Sequence, residues 1–199
     1  MLTNKEIKEQ LKIELERVIS EFKKTNRNEN LALCFDNLLN FNFDSYKESL
    51  KKEIKTNLKS YWTNIENGIN SEEKLDAILL EHYVPDSINL EAYAYGIIDW
   101  EEKNFENINI NMGFEYDFAE NFEQIDGITL NFFNSYVDNC EIDLTCELAD
   151  CYRVKGVIAI HETFYELHQE NEFECINKKD EFYFMVGEHD SFCYPVLSI

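Results

Sequence analysis

Residues 107–118 read NININMGFEYDF, and their alternation decides the fold class. Ile108, Ile110, Met112, Phe114, Tyr116 and Phe118 occupy every second position, separated by Asn109, Asn111, Gly113, Glu115 and Asp117, with Asn107 ahead of them. A period of two sets the apolar side chains on one face of an extended strand. The expectation is a strand with one buried face and one wet face. Upstream, residues 90–100 (LEAYAYGIIDW) are apolar on both faces, as a central strand would be. The stretch 101–107 is long enough to join the two as a hairpin. Downstream, Asp126-Gly127 signals a turn before a third strand over 128–133.

The N-terminal third has a different period. Ile7, Leu11, Leu15, Val18 and Phe22 recur at three and four, a stripe on one helix face, with Thr3 and Glu6 spaced as a capping box. Residues 30–43 fit a short helix through Leu31, Cys34, Leu38 and Leu39, or a strand through Leu31, Leu33 and Phe35. A second strong helix is expected over 46–62, with Leu50, Ile54, Leu58, Tyr61 and Ile65 as its stripe and Ser45 and Glu48 as its capping box. A third is expected after Ser71, carrying Leu75, Ile78, Leu79 and His82 and ending at Pro85-Asp86. In the C-terminal part, Leu144, Leu148, Cys151, Val154, Ile158, His161, Phe164 and His168 predict a long helix over 142–169. Gly156 and the β-branched Val157-Ile158 are a place where it could break. Strands over 181–186 and 192–197, joined by a turn at 187–191, complete the chain.

These readings predict one α+β domain over residues 1–199. About three N-terminal helices (1–84) precede a strand-rich part (85–199). Its mostly antiparallel sheet has four to five strands, and one long helix precedes the last strands.

The same division separates the charge. Residues 1–74 hold 13 basic and 13 acidic side chains. Residues 75–199 hold 5 basic side chains (Lys103, Arg153, Lys155, Lys178 and Lys179) against 27 acidic ones, which is the whole net charge of −22. Such a surface repels nucleic acid and anionic membrane and attracts a basic partner. No apolar run approaches the ~20 residues of a membrane span. The first residues, MLTNKEIKEQLKIELERV, lack the apolar core of a signal peptide. Cytoplasmic residence is therefore expected, with Cys34, Cys140, Cys146, Cys151, Cys175 and Cys193 as reduced, mostly buried thiols, a structural disulfide or metal site being the alternative.

Few residues suggest catalysis. His161, Glu162 and His168 could ligate a metal. The two histidines, however, stand seven apart, about 10 Å along a helix, and zinc ligands lie at ~2.0–2.1 Å. Core packing is the plainer role, and neither a metal nor a cofactor is expected. His189 beside Asp190 could serve as a general base, yet no nucleophile motif accompanies it. The lysines 47, 51, 55 and 59, with Lys52, form a stripe that reads as a solvated flank or as an internal counterpart to the acidic sheet. The best candidate surface is the wet strand face, Asn107, Asn109, Asn111, Glu115 and Asp117, with the acidic loop Asp99, Glu101 and Glu102. Together they present a row of acceptors to a Lys/Arg-rich partner.

In size, acidity and lack of catalytic motifs the chain resembles bacterial toxin-immunity proteins, which neutralise basic nuclease-type toxins. The resemblance is one of type and implies a non-enzymatic protein that binds a basic protein, as a monomer or homodimer. The other readings are a small hydrolase or metal-dependent enzyme using His161, Glu162, His168 or His189, and an oligomeric structural protein built on the N-terminal helices.

Overall fold

The computed structural model describes residues 2–25, 29–63, 73–82, 91–101, 103, 105, 116–119, 125–129, 147–189 and 193–199, with only the backbone for Glu91 and 125–129. Three helices come first: α1 (Asn4–Thr25), α2 (Glu29–Leu39) and α3 (Asp44–Asn57). The expected stripe of α1 is its core face, with Ile7, Leu11, Val18 and Phe22 buried. Its capping box is formed: the Thr3 N–H donates to Glu6 Oε2 at 2.8 Å, and the Glu6 N–H donates to Thr3 Oγ1 at 3.3 Å. The undecided segment 30–43 is helical in α2, because Cys34, Phe35 and Leu38 share one buried face. The Ser45–Glu48 capping box is not made. Asn42 Oδ1 accepts the Asp44 N–H at 2.8 Å, so the helix starts before Ser45 can cap it.

After α3 the helix widens into a π turn over Leu58–Trp62, closed by the Thr63 N–H on the Leu58 carbonyl at 3.1 Å. The extra residue in the turn rotates the register. Trp62 enters the core in place of the expected Tyr61, which stays 38 % exposed.

The expected third helix after Ser71 is a strand, β1 (Leu75–His82). Leu75 to Leu80 are all buried. A strand covered on both faces reads as a continuous apolar run, which periodicity cannot separate from a buried helix. Here 75, 78, 79 and 82 happened to match helical spacing. The three N-terminal helices are thus α1, α2 and α3, and the boundary at residue 84 moves back to the end of the π turn.

The remaining elements are β2 (Glu91–Ile98), β3 (Asp117–Phe118), β4 (Ile125–Thr129), α4 (Glu147–Gln169), a 3₁₀ turn (Glu172–Cys175), β5 (Lys178–Glu188) and β6 (Cys193–Ser198). The sheet order is β3-β2-β1-β5-β6. β4 also pairs with β2, so β3 and β4 share one edge of that strand. Among the described residues only β1–β5 is parallel; the other pairs are antiparallel. Asp126-Gly127 is not a turn but part of β4. The register passes from Ala92↔Ile128 to Tyr93↔Asp126, leaving Gly127 as a bulge, a usual place for glycine within a strand.

Both faces of the sheet are covered. Phe182, Phe184 and Val186 of β5 join the core shared with the helices, while Tyr183 and Met185 join a second cluster with Ala77, Leu79, Ile97 and Trp100. That second cluster is roofed by Phe105 and Tyr116 from the segment after β2. α4 runs unbroken through Gly156 and is buried on most sides.

The six-thiol expectation fails at Cys34, which is disulfide-bonded. Cys151, Cys175 and Cys193 are free. No helix among the described residues is long and apolar enough to cross a membrane.

Candidate functional site

The lysine stripe of α3 meets α4, not the sheet. Lys47 pairs with Glu162 at 3.1 Å, Lys51 with Glu166, and Lys55 with Glu170 at 2.8 Å and Glu172 at 2.9 Å. Both helices advance by four residues per rung, so they run side by side in the same direction, as a ladder of charge. Burial disfavours the Lys47 ammonium, but the Glu162 hydrogen bond and the charges of Glu162, Glu166 and Asp44 together outweigh it and its pKa rises. For Lys51 the Glu166 hydrogen bond is the leading cause of the rise, and for Lys55 the Glu170 hydrogen bond.

The five cations of residues 75–199 are also turned inward. Lys103 and Lys179 converge on Asp76 of β1, at 2.7 and 2.6 Å, and the Trp100 N–H adds a third bond at 3.2 Å. Asp76 is 2 % exposed. Burial alone would raise its pKa, yet the two ammonium groups and the amide hold it below the usual carboxylate value. Arg153 binds Asp150 and reaches Glu188 at 3.9 Å. Lys155 donates to the Leu38 and Leu39 carbonyls at the C-terminal end of α2. Lys178 donates to the Phe173 carbonyl at 2.9 Å. All five are committed to carboxylates or backbone carbonyls of the fold, and Lys179 also reaches Asp99 of the acidic surface at 3.9 Å.

That surface is described at three of the expected residues. Asp99, at positive φ (52°), is exposed and lies 3.9 Å from Lys179. Glu101 and Asp117 are exposed. Asp117 pairs in register with Ile98, the neighbour of Asp99, so β3 brings Asp117 beside the loop acids. Glu102, Asn107, Asn109, Asn111 and Glu115 lie outside the described residues, as does most of the alternating stretch.

Phe118 departs from the alternation, which had it buried. It is 50 % exposed, because β3 is a two-residue edge strand. Its ring lies 5.1 Å from Tyr95 and 5.6 Å from Tyr116. An aromatic anchor thus stands among the acids. Sequence reasoning missed it by counting Phe118 into the core; only the shortness of β3 reveals it.

The histidine candidates are not drawn together. His161 is 3 % exposed and donates Nδ1–H to the Val196 carbonyl of β6 at 2.9 Å. Asn4 binds the same outer edge: its Nδ2 donates to the Ser198 carbonyl at 2.7 Å and its Oδ1 accepts the Ser198 N–H at 2.8 Å. These two side chains cover backbone groups that an edge strand would otherwise offer to another chain. Glu162 faces Lys47, and His168 Nδ1 is buried without a hydrogen bond among the described residues. His189 meets Glu81 at 3.3 Å, and Asp190 lies outside the described residues. Among the described residues no three His, Cys, Asp or Glu side chains are grouped to hold a metal. A cleft of about 490 Å³ lies beside His161, between α1 and α4.

No family model, curated protein or solved structure matches the chain.

Proposed function

We propose that the chain is a non-enzymatic protein that binds a basic protein through the edge formed by β3 and the loop after β2. The observation that carries this is the pairing of an exposed aromatic anchor, Phe118, with exposed Asp99, Glu101 and Asp117. The cations of the acidic part are meanwhile held by carboxylates or carbonyls of the fold, with Lys179 shared between Asp76 and Asp99. Aromatic residues at the centre of an interface supply affinity, and a surrounding field of one sign speeds encounter and selects the partner. Nucleases present cationic surfaces to the phosphate backbone. A basic nuclease-type toxin is accordingly the partner class we name, in line with the likeness to immunity proteins. The disulfide at Cys34 is at odds with the reduced thiols that cytoplasmic residence implies.

The test is capture on immobilised full-length chain, at low salt, of partners that are then identified by mass spectrometry. The expected result is a protein of basic isoelectric point, released as ionic strength rises and the Debye length shrinks. Phe118→Ala and the double reversal Asp99→Lys/Asp117→Lys should each weaken its binding by at least about tenfold. Binding that withstands both variants and high salt would rule the reading out.

A further inference from the structure

The cleft between α1 and α4 has a chemistry that protein binding at β3 leaves unused. Its buried wall is His161. A carbonyl only accepts, so the bond to Val196 puts the proton on Nδ1 and leaves the lone pair of the neutral ring on Nε2. Nε2 has no hydrogen-bond partner among the described residues, and it is not sealed from solvent. Burial, with Lys8 nearby, lowers the imidazole pKa and keeps the ring neutral at pH 7. An acceptor held in this way calls for a donor on the ligand.

Lys5 and Lys8 line the opposite wall. Spaced i,i+3 in the first turns of α1, they project from the same side of the helix. Both are exposed, and neither makes an ion pair among the described residues. Glu162 and Glu166, which also line the cleft, are already held by Lys47 and Lys51. Two ammonium groups therefore remain uncommitted, at the positive end of the α1 dipole. Tyr165 is 42 % exposed and lies against His161, with centroids 6.2 Å apart and planes at 27°.

We propose that this cleft binds a protonated phosphoryl group, whose P–OH donates to His161 Nε2 while its other oxygens accept from Lys5 and Lys8. Free phosphate and a phosphate monoester share this chemistry; an aromatic ester would stack on Tyr165. The negative charge of the whole chain excludes a large polyanion. The binding is reversible, with no covalent step.

The test is calorimetric titration of the full chain. At pH 7 every form of inorganic phosphate keeps a P–OH, whereas sulfate has none. Phosphate should bind at one site with a Kd of about 1 mM, and sulfate at least about tenfold more weakly. Lys5→Ala and Lys8→Ala, both at exposed positions that leave the core intact, should each weaken phosphate by about tenfold. His161→Asn keeps a donor for Val196 but has no Nε2, and should abolish the preference for phosphate over sulfate. Phenyl phosphate, compared with phosphate at pH 6 where about half of it keeps its proton, separates the two sources: tighter binding assigns a monoester, equal or weaker binding the free ion. The proposal falls if sulfate and phosphate bind alike at pH 7, if about 20 mM phosphate gives no saturable heat, or if the double Lys5→Ala/Lys8→Ala variant binds as the unaltered chain does.

Discussion

Replacing Phe184 by alanine should lower the unfolding free energy by about 4 kcal/mol, measured as a shift of the denaturant midpoint at constant slope. Phe184 is fully buried on β5. Its ring meets Phe173 at 4.6 Å, Phe164 at 4.7 Å, Phe182 at 5.1 Å and Trp62 at 6.0 Å. These partners come from α4, the 3₁₀ turn, β5 itself and the π turn, so the cavity would open where helices and sheet join. Phe184→Leu keeps most of the volume and should cost about 1 kcal/mol. Equal losses in the two variants would show that the site relaxes around any change, which a close-packed interior does not do.

Asp76→Ala should cost about 3 kcal/mol, because it leaves Lys103 largely buried without its carboxylate and the Trp100 N–H without an acceptor. The pH dependence has a definite sign. The Asp76 pKa is lower in the folded chain than in the unfolded one. Its stabilising contribution is therefore complete above the unfolded carboxylate value of about 3.9 and is lost as pH falls through the folded value. The advantage of the native chain over Asp76→Asn should be constant from pH 5 to 7, to within about 0.5 kcal/mol, and shrink below about pH 4. An advantage that grew towards acid would contradict the ion cluster.

α1 and α3 were legible in the sequence because each is long and has one wet face. Ile7, Leu11, Val18 and Phe22 recur at helical spacing only because solvent claims the positions between them. β1 lacks that contrast, since Ala77 and Leu79 serve one face while Ile78 and Leu80 serve the other. Its LDAILLEH run hides the period of two. The lysine stripe of α3 was visible, but its partners lie on α4, 115 residues further along the chain. The acidic character of the candidate site could be read from composition alone. The exposure of Phe118 could not, because it depends on where β3 stops pairing with β2. The alternation that fixed the fold class continues through residues whose structure is not described, so its wet face enters the site only at Asp117.

The parallel pairing of β1 with β5 also bears on the order in which the protein can assemble. β1 lies between β2, its next strand in the chain, and β5, which is made only after α4. During synthesis Leu75 to Leu80 have no partner on one side until residues 178–188 leave the ribosome. Contacts so distant in sequence form late and slowly. In the interval this buried, largely apolar strand is an open template for another chain. The nascent protein is thus most exposed to aggregation in the time needed to make α4, and a holding chaperone would have its greatest effect there.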